Sequence, residues 1–301
     1  MRVTEKIIYN SSIDYLQKLS QRLNDLNIKV VTGKDINNPS DAPEKIGKII
    51  DLNTSIFNIE QYKKNIFEAT AFLERSEEAI ASMISIFNDA KRIAINGANA
   101  VYTIEQRKIM AQDIDNKLKE LISLSNSQFY DKYIFAGYKT FNVPFTEVFD
   151  ANNNIIDVVY NGDEGLMPEF IDKDNFINKN IPGNKLKDNI YDIFKVLIDL
   201  KNNLNNDDVS GITNDIDQID KTFNYLLVLR TDIGSKLKRL ENAEVKLVNI
   251  KNVFYKLQSK IEDIDMPEVI SQFQLQQNIY QSALTTIGKI IQQTTLADIL
   301  K

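Results

Sequence analysis

Along the first stretch of the chain, a stripe runs through Ile8, Ser12, Tyr15, Leu19, Leu23, Leu26 and Val30, stepping by four, three, four, four, three and four. That is a heptad-like pattern with one slip, and it predicts a helix over about residues 4–31 with a single apolar face. Such a helix cannot bury its stripe alone and needs a partner. The other end of the chain repeats the arrangement. Val269, Phe273, Gln276, Tyr280, Leu284, Ile287, Ile291 and Thr294 alternate in fours and threes, a second single-striped arm.

Each arm is set off by a proline-containing break. The first is Thr32 to Pro43, reading T-G-K-D-I-N-N-P-S-D-A-P, with Gly33, Asn37, Pro39, Asp41 and Pro43 as its marked positions. Pro39 and Pro43 lack an amide proton and bias their predecessors toward extended backbone, so one helix cannot run through. Asp41-Ala42-Pro43-Glu44 then offers an N-cap with an acid three residues on. The second break, Asp263 to Glu268, repeats cap, proline and acid with Asp263, Asp265 and Pro267.

Between the breaks the period stays helical for long distances. From Ile46 through Ile66, Leu73, Ile80 and Phe87 to about Asn96-Gly97 it would make a rod of about 75–80 Å at 1.5 Å per residue. Thr103-Ile104-Glu105-Gln106 is a capping box opening a further helix through Leu121 and Ile122. Helical period resumes at Asp188, and another long helix is expected from Val209 to about Ile261. In between, Tyr133-Ile134-Phe135 and Ile155 to Tyr160 read as strands, and Asp150 to Asn154 reads as a turn. Seven of the chain's sixteen Gly and Pro fall between 137 and 183, which marks a strand-and-loop insert.

The expected fold is therefore mainly α: a long antiparallel helical bundle with paired terminal coiled-coil arms and a small β-rich insert. Its expected division is 1–40 with 266–301 as a coiled-coil assembly domain, 41–128 with 188–265 as the helical-bundle body, and 129–187 as the insert.

Composition narrows the chemistry. The 301 residues are 43% hydrophobic and 26% charged, ordinary for a soluble protein and long enough for a substantial core. The net charge of −6 is spread without a basic face, so nucleic acid is not an expected partner. There is no Cys and no His, which removes disulfides, thiolate chemistry and the commonest general base and zinc ligand. No apolar run approaches the ~20 residues of a membrane span, so membrane insertion is not expected. Met1 to Ser11 holds no signal-peptide apolar core. An exported chain is expected to leave by a route that reads an uncleaved terminus.

Candidate motifs all have plainer readings. The glycines form neither G-x-G-x-x-G nor a P-loop, and G-x-S-x-G is absent. Ser235-Lys236-Leu237-Lys238 matches S-x-x-K on a solvated helix face without companion motifs. Asp150-x-Asn152-x-Asn154 starts like a calcium loop, but Ile155 stands where that loop needs Gly, and a turn fits better. Asp263 and Asp265 are read as cap and break residues rather than paired catalytic carboxylates, and Asn10-Ser11-Ser12 and Asn53-Thr54-Ser55 as chance sequons. No enzyme, cofactor or metal is expected.

The first break resembles the S-G-K-R-I-N-S-P-S-D-D-P signature of the flagellin superfamily. Further pieces follow in that family's order: Tyr133-Ile134-Phe135-Ala136-Gly137 with Pro144-Phe145, Tyr160-Asn161-Gly162-Asp163, Arg230 to Gly234 with Arg239-Leu240-Glu241, and Asp263-Ile264-Asp265. The P-S-D-A-P continuation and the insert pieces are more similar to the hook–filament junction branch than to filament flagellins. Asp35 stands where the family usually has Arg, and Ala42 where it has a second Asp, which puts any salt bridge made there in doubt.

The resemblance implies a structural, non-catalytic part of the bacterial flagellum that joins hook to filament by packing its terminal helices. The alternatives are a flagellin filament subunit or a self-contained coiled-coil adaptor. Implied partners are further copies in a ring or tube, the other hook-associated junction protein, flagellin, and an export chaperone on the C-terminal arm. The implied location is extracellular, at the flagellar hook–filament junction after type III export. On the residues themselves, the expected interface is Ile8, Tyr15, Leu19, Leu23, Leu26, Val30, Phe273, Tyr280, Leu284, Ile287 and Ile291. Ile7, Ile270 and Ile290 lie off the seam and are expected to stay exposed, which favours burial against neighbouring subunits.

Overall fold

The computed structural model describes the backbone of residues 2–188 and 190–299, and the side chains of residues 7, 9–188 and 190–289. Its helices are α1 (Arg2–Thr32), α2 (Pro43–Ala98), α3 (Ile104–Ser125), α4 (Ile193–Asn205), α5 (Val209–Glu262) and α6 (Met266–Ile299). Between α3 and α4 lie β1 (Gln128–Phe129), β2 (Lys132–Tyr133), β3 (Phe145–Phe149), β4 (Ile155–Tyr160), β5 (Pro168–Phe170) and β6 (Phe176–Asn178). The strands form three antiparallel two-stranded sheets: β1 with β2, β3 with β4, and β5 with β6. The architecture is the expected one: mainly α, with paired arms and a small β insert.

Two compact units are present, residues 58–249 and residues 1–57 with 250–301. The division falls inside α2 and α5, whereas the expected boundaries lay at the proline breaks, 40/41 and 265/266. Continuous helix on either side of a division leaves no sequence punctuation to mark it.

In the 58–249 unit, the buried positions of α2 repeat by seven: Ile59, Ile66, Leu73, Ile80, Phe87 and Ala94. Ala69, Ser76, Met83 and Ala90 form the interleaved row. On α5 the row is Ile212, Ile219, Leu226, Ile233, Leu240 and Leu247. A strict seven-residue repeat keeps one seam facing a partner helix. The Lys91–Asp220 and Arg230–Glu77 ion pairs, both 2.6 Å, cross between α2 and α5 and set them antiparallel. Val245, also apolar, is exposed because it lies off this row.

The turns are locked by capping. Thr103 and Gln106 form the expected reciprocal capping box at α3. Arg107, nearly buried, donates to the carbonyls of Gly97 at 2.8 Å and Asn99 at 3.0 Å, and pairs with Asp207 at 2.5 Å. It thereby closes the C-terminal end of α2 and ties it to the α4–α5 turn. α4 starts at Ile193 with Asp192 as N-cap, five residues later than expected. The Asp188 carboxylate instead accepts from the backbone N–H of Ile190 and Tyr191, making a local turn that competes with helix and leaves Ile190 exposed.

The insert corrects one expected strand. Only Lys132 and Tyr133 form the strand, through a tight hairpin whose Tyr130 and Asp131 both have positive φ; Ile134 adds one last bond from its N–H to the Ser127 carbonyl, and Ile134, Phe135 and Ala136 are fully buried. The expected turn is present, with the Asp150 carboxylate accepting from the N–H of Asn152 and Asn154. Asn126 anchors β3 to α3 by exchanging two hydrogen bonds with the backbone of Phe145.

Tyr160 gathers the remaining insert pieces. Its hydroxyl lies 3.0 Å from the Phe135 carbonyl and 2.7 Å from that of Asp163, and accepts from the Gly183 N–H at 3.2 Å. Burial pushes its pKa up to about 12. The Asp163 carboxylate accepts from the N–H of Tyr138 and Gly165, which hold it below the usual carboxylate range, the Tyr138 bond most strongly. Gly137 has φ +67, and a Cβ there would lie 2.1 Å from Asp163 Oδ1. The Phe-Ala-Gly and Tyr-Asn-Gly-Asp pieces are thus two halves of one hydrogen-bonded knot.

Candidate assembly interface

The arms belong to the unit of residues 1–57 and 250–301, where α1 packs on α6. Their direction follows from the contacts: the Gln276 amide approaches the Leu19 carbonyl at 3.4 Å, while Ile264 N–H donates to the Gly33 carbonyl at 3.1 Å. Position rises on one helix as it falls on the other, so the arms are antiparallel.

The seam differs from the expected stripe at two places. On α1 the covered positions include Ser12, Leu16, Leu19, Leu23, Leu26 and Val30; on α6 they are Val269, Phe273, Gln276, Tyr280, Ala283 and Ile287. Both rows now alternate four and three without a slip. Tyr15 and Leu284 are not in the seam, being 54% and 45% exposed. A helix of 3.6 residues per turn keeps a straight seam only on strict four–three spacing, and both residues fall one position off it. Leu16 and Ala283 take their places, and the unbroken alternation was the signal that could have found them.

Leu19, 3% exposed, is the only fully covered side chain among the described arm residues. Leu23, Leu26, Val30, Phe273, Tyr280 and Ile287 are half-buried, so two helices cover each other on one face only. Ile7, Tyr15, Val31, Ile270, Leu275, Ile279 and Leu284 remain exposed. The side chains of Ile8, Ile290 and Ile291 lie outside the described residues. Along one flank, Tyr15, Ile279, Ala283 and Ile287 with Ser11, Ser12 and Ser282 border an open groove of about 690 Å³.

The two proline breaks meet. Gly33 ends α1 at φ +71, with its N–H on the Lys29 carbonyl. The next residue forms a two-residue antiparallel bridge with Asp263, closed by Asp35 N–H to the Glu262 carbonyl at 2.6 Å. Lys34 pairs with Glu262 at 2.6 Å and Lys29 with Asp35 at 2.7 Å, so Asp35 has its own partner here. The pairing of Lys34 with Glu262 carried no sequence signal, since it depends on two distant breaks coming together.

Within the first break, Asp41 is not the N-cap expected for α2. Its carboxylate accepts from the N–H of Asn38 at 2.7 Å and Asn37 at 3.1 Å, which hold it below the usual carboxylate range, the Asn38 bond most strongly. The cap position falls to Ala42, whose carbonyl accepts from Lys45 and Ile46, with Pro43 opening the helix. Pro39 lies in the turn that Asp41 closes, and the Asn37 amide returns to the Lys34 carbonyl at 2.9 Å. At the second break Asp265 caps α6, accepting from Glu268 N–H at 3.4 Å, and Pro267 sits in the first turn.

The 58–249 unit carries its own depression of about 860 Å³, bordered by Phe67, Tyr130, Tyr138 and Met167 with Lys63 and Lys64. Among the described residues, no group of three or more acidic side chains is placed to hold a metal ion, and no helix is long and apolar enough to cross a membrane.

Comparison with known proteins places these features among relatives. The bacterial flagellin N-terminal helical region matches residues 3–140, and the bacterial flagellin C-terminal helical region matches residues 216–298. Flagellar hook-associated protein 3 of Salmonella typhimurium is 24% identical over 315 aligned positions, spanning 95% of this chain and 96% of its own. A flagellin of Listeria monocytogenes is 23% identical over 131 positions, 44% of this chain and 46% of its own. A solved flagellar hook-associated protein from Vibrio parahaemolyticus superposes with a TM-score of 0.66 at 20% identity, covering 74% of this chain and all of that one.

Proposed function

The chain belongs to the flagellin family, and from that premise we propose that it is a structural, non-catalytic component of the bacterial flagellum joining hook to filament. The observation that carries this reading is the extent of the match. Similarity to a hook-associated protein 3 runs end to end in both chains, whereas the flagellin match stops short of half of each. The physical basis for assembly is the half-covered arm pair. Beyond the seam it exposes Tyr15 and Ile279, which border the groove, and Leu284 outside the groove, apolar surface that a neighbouring subunit removes from water.

On this reading the assembly interface is the arm pair, and its partners are further copies of the chain in a ring or tube, the other hook-associated junction protein, and flagellin. An export chaperone holds the C-terminal arm before secretion. The first break connects arm α1 to α2, and the second connects α5 to arm α6.

A deletion strain tests the role. Hooks without filaments, and flagellin released into the medium, support it; normal filaments on the hooks reject it. Immunolabelling separates the runner-up. A single band at the hook end supports a junction protein, and label along the whole filament makes the chain a flagellin.

A further inference from the structure

We propose that Lys34 and Glu262 form an electrostatic latch that holds the two breaks together. Glu262 is the last residue of α5, and only 6% of it is exposed. A carboxylate there is disfavoured twice. It faces the negative end of its own helix, and it is largely removed from water. Its charge is compensated by the Lys34 ammonium at 2.6 Å and, more weakly, by the Gln258 amide at 3.2 Å one turn back on α5.

Lys34 comes from the other break, immediately after the left-handed Gly33 that ends α1, and its side chain is 46% exposed. The pair is therefore asymmetric: one buried charge that needs a partner, one solvated charge that does not. Opening the breaks strips Glu262 of its counter-charge, so the latch resists opening even though one of its halves is solvated.

Among the described residues, only two backbone hydrogen bonds otherwise bridge the breaks, Asp35 N–H to Glu262 and Ile264 N–H to Gly33. With Glu262 ionised and its cation removed, that bridge is too small to hold. Lys34 is thus a positioning residue for the arm pair, controlling when α1 and α6 stay docked at the breaks. The latch is a property of the isolated chain; its use during flagellar assembly rests on the proposed function.

Amide hydrogen exchange on the full chain reads the latch directly at Asp35 and Ile264, in wild type, Lys34→Met, Glu262→Gln and the double variant. Stripping the buried charge by Lys34→Met is expected to speed exchange at both amides by at least about tenfold. Glu262→Gln, which leaves only a solvated lysine unpaired, is expected to change it by less than about threefold. In the double variant the neutral amide that replaces the Glu262 carboxylate no longer needs a cation, and slow exchange returns. A merely structural role would not give that rescue.

Equal acceleration in the two single variants, or a double variant as fast as Lys34→Met, overturns the latch. Unchanged protection at Ile233, deep in α5, shows that each variant is folded. Because no flagellum is involved in the readout, the latch and the junction role stand or fall separately.

Discussion

Replacing Leu19 and Leu284 by Asp separates the holding of the arm pair from its docking on neighbours. Leu19 is 3% exposed and faces α6, whereas Leu284 is 45% exposed and off the seam. Losing a covered leucine costs about 2–5 kcal/mol. An unpaired carboxylate left there adds several more, about 3–5 kcal/mol by analogy with broken buried pairs. Two helices that cover one face of each other have little else to hold them, since isolated helices are marginal in water. Leu19→Asp is therefore expected to unpair the arms. The 31 residues of α1 and 34 of α6 hold 65 of the 210 α-helical residues, so ellipticity at 222 nm should fall by up to about a third. Leu284→Asp should cost about 0.5 kcal/mol or less and leave the ellipticity unchanged. In the deletion strain, both variants should fail to restore filaments, Leu19→Asp for want of an ordered arm and Leu284→Asp for want of a docking surface. Equal ellipticity in the two variants refutes the assigned seam, and normal filaments with Leu284→Asp refute the exposed Leu284 as part of an interface.

Tyr160→Phe removes the hydroxyl at the centre of the insert knot, at a cost of about 1–3 kcal/mol and a melting shift of about 3–10 °C. The same hydroxyl makes the protein sensitive to alkali. Its folded pKa is raised to about 12 from the usual 10, so its contribution is fully present below pH 10 and is lost as pH rises through about 12. Thermal melts from pH 9 to 12 should show that loss in wild type and less of it in Tyr160→Phe. Gly137→Ala forces a side chain into positive φ and against Asp163; urea unfolding should show a loss of at least about 2 kcal/mol. Arg107→Met strands Asp207 and the Gly97 and Asn99 carbonyls, with an expected loss of about 3–5 kcal/mol in the same assay.

The body was legible because its signals are local and repeat. The Thr103 capping box and the Asp150 turn are settled within a few residues, and α2 and α5 hold a seven-residue period long enough to average out exceptions. What could not be read is set by distant partners. Tyr133 to Phe135 has strand composition, but Phe135 gives its carbonyl to Tyr160 and Gly183 instead of to a ladder. Propensity yields to such tertiary bonds, since a buried carbonyl must be satisfied wherever a donor stands. Likewise Asp41 has the ordinary look of an N-cap, yet two unpaired amides at Asn37 and Asn38 compete for it and win.

The arms show the same division at closer range. Their existence and helical character follow from period alone, but which residue is covered turns on a single step. A stripe through Tyr15 and Leu284 contains a slip; Leu16 and Ala283 remove it. Size is a poor guide because a half-covered helix pair has both a seam and a rim, and large apolar residues occupy either. The displaced pair is also what gives the arms an outward surface. With Leu16 and Ala283 closing the seam, Tyr15 and Leu284 are left to face whatever lies beyond it. The first break gains its meaning in the same way. Gly33, Lys34 and Asp35 read as a loop between helices until Glu262 and Ile264 are placed opposite, after which the loop is half of a clasp. An arm held by a half-covered seam and one half-buried ion pair is anchored strongly enough to be defined and weakly enough to be rearranged by a neighbour.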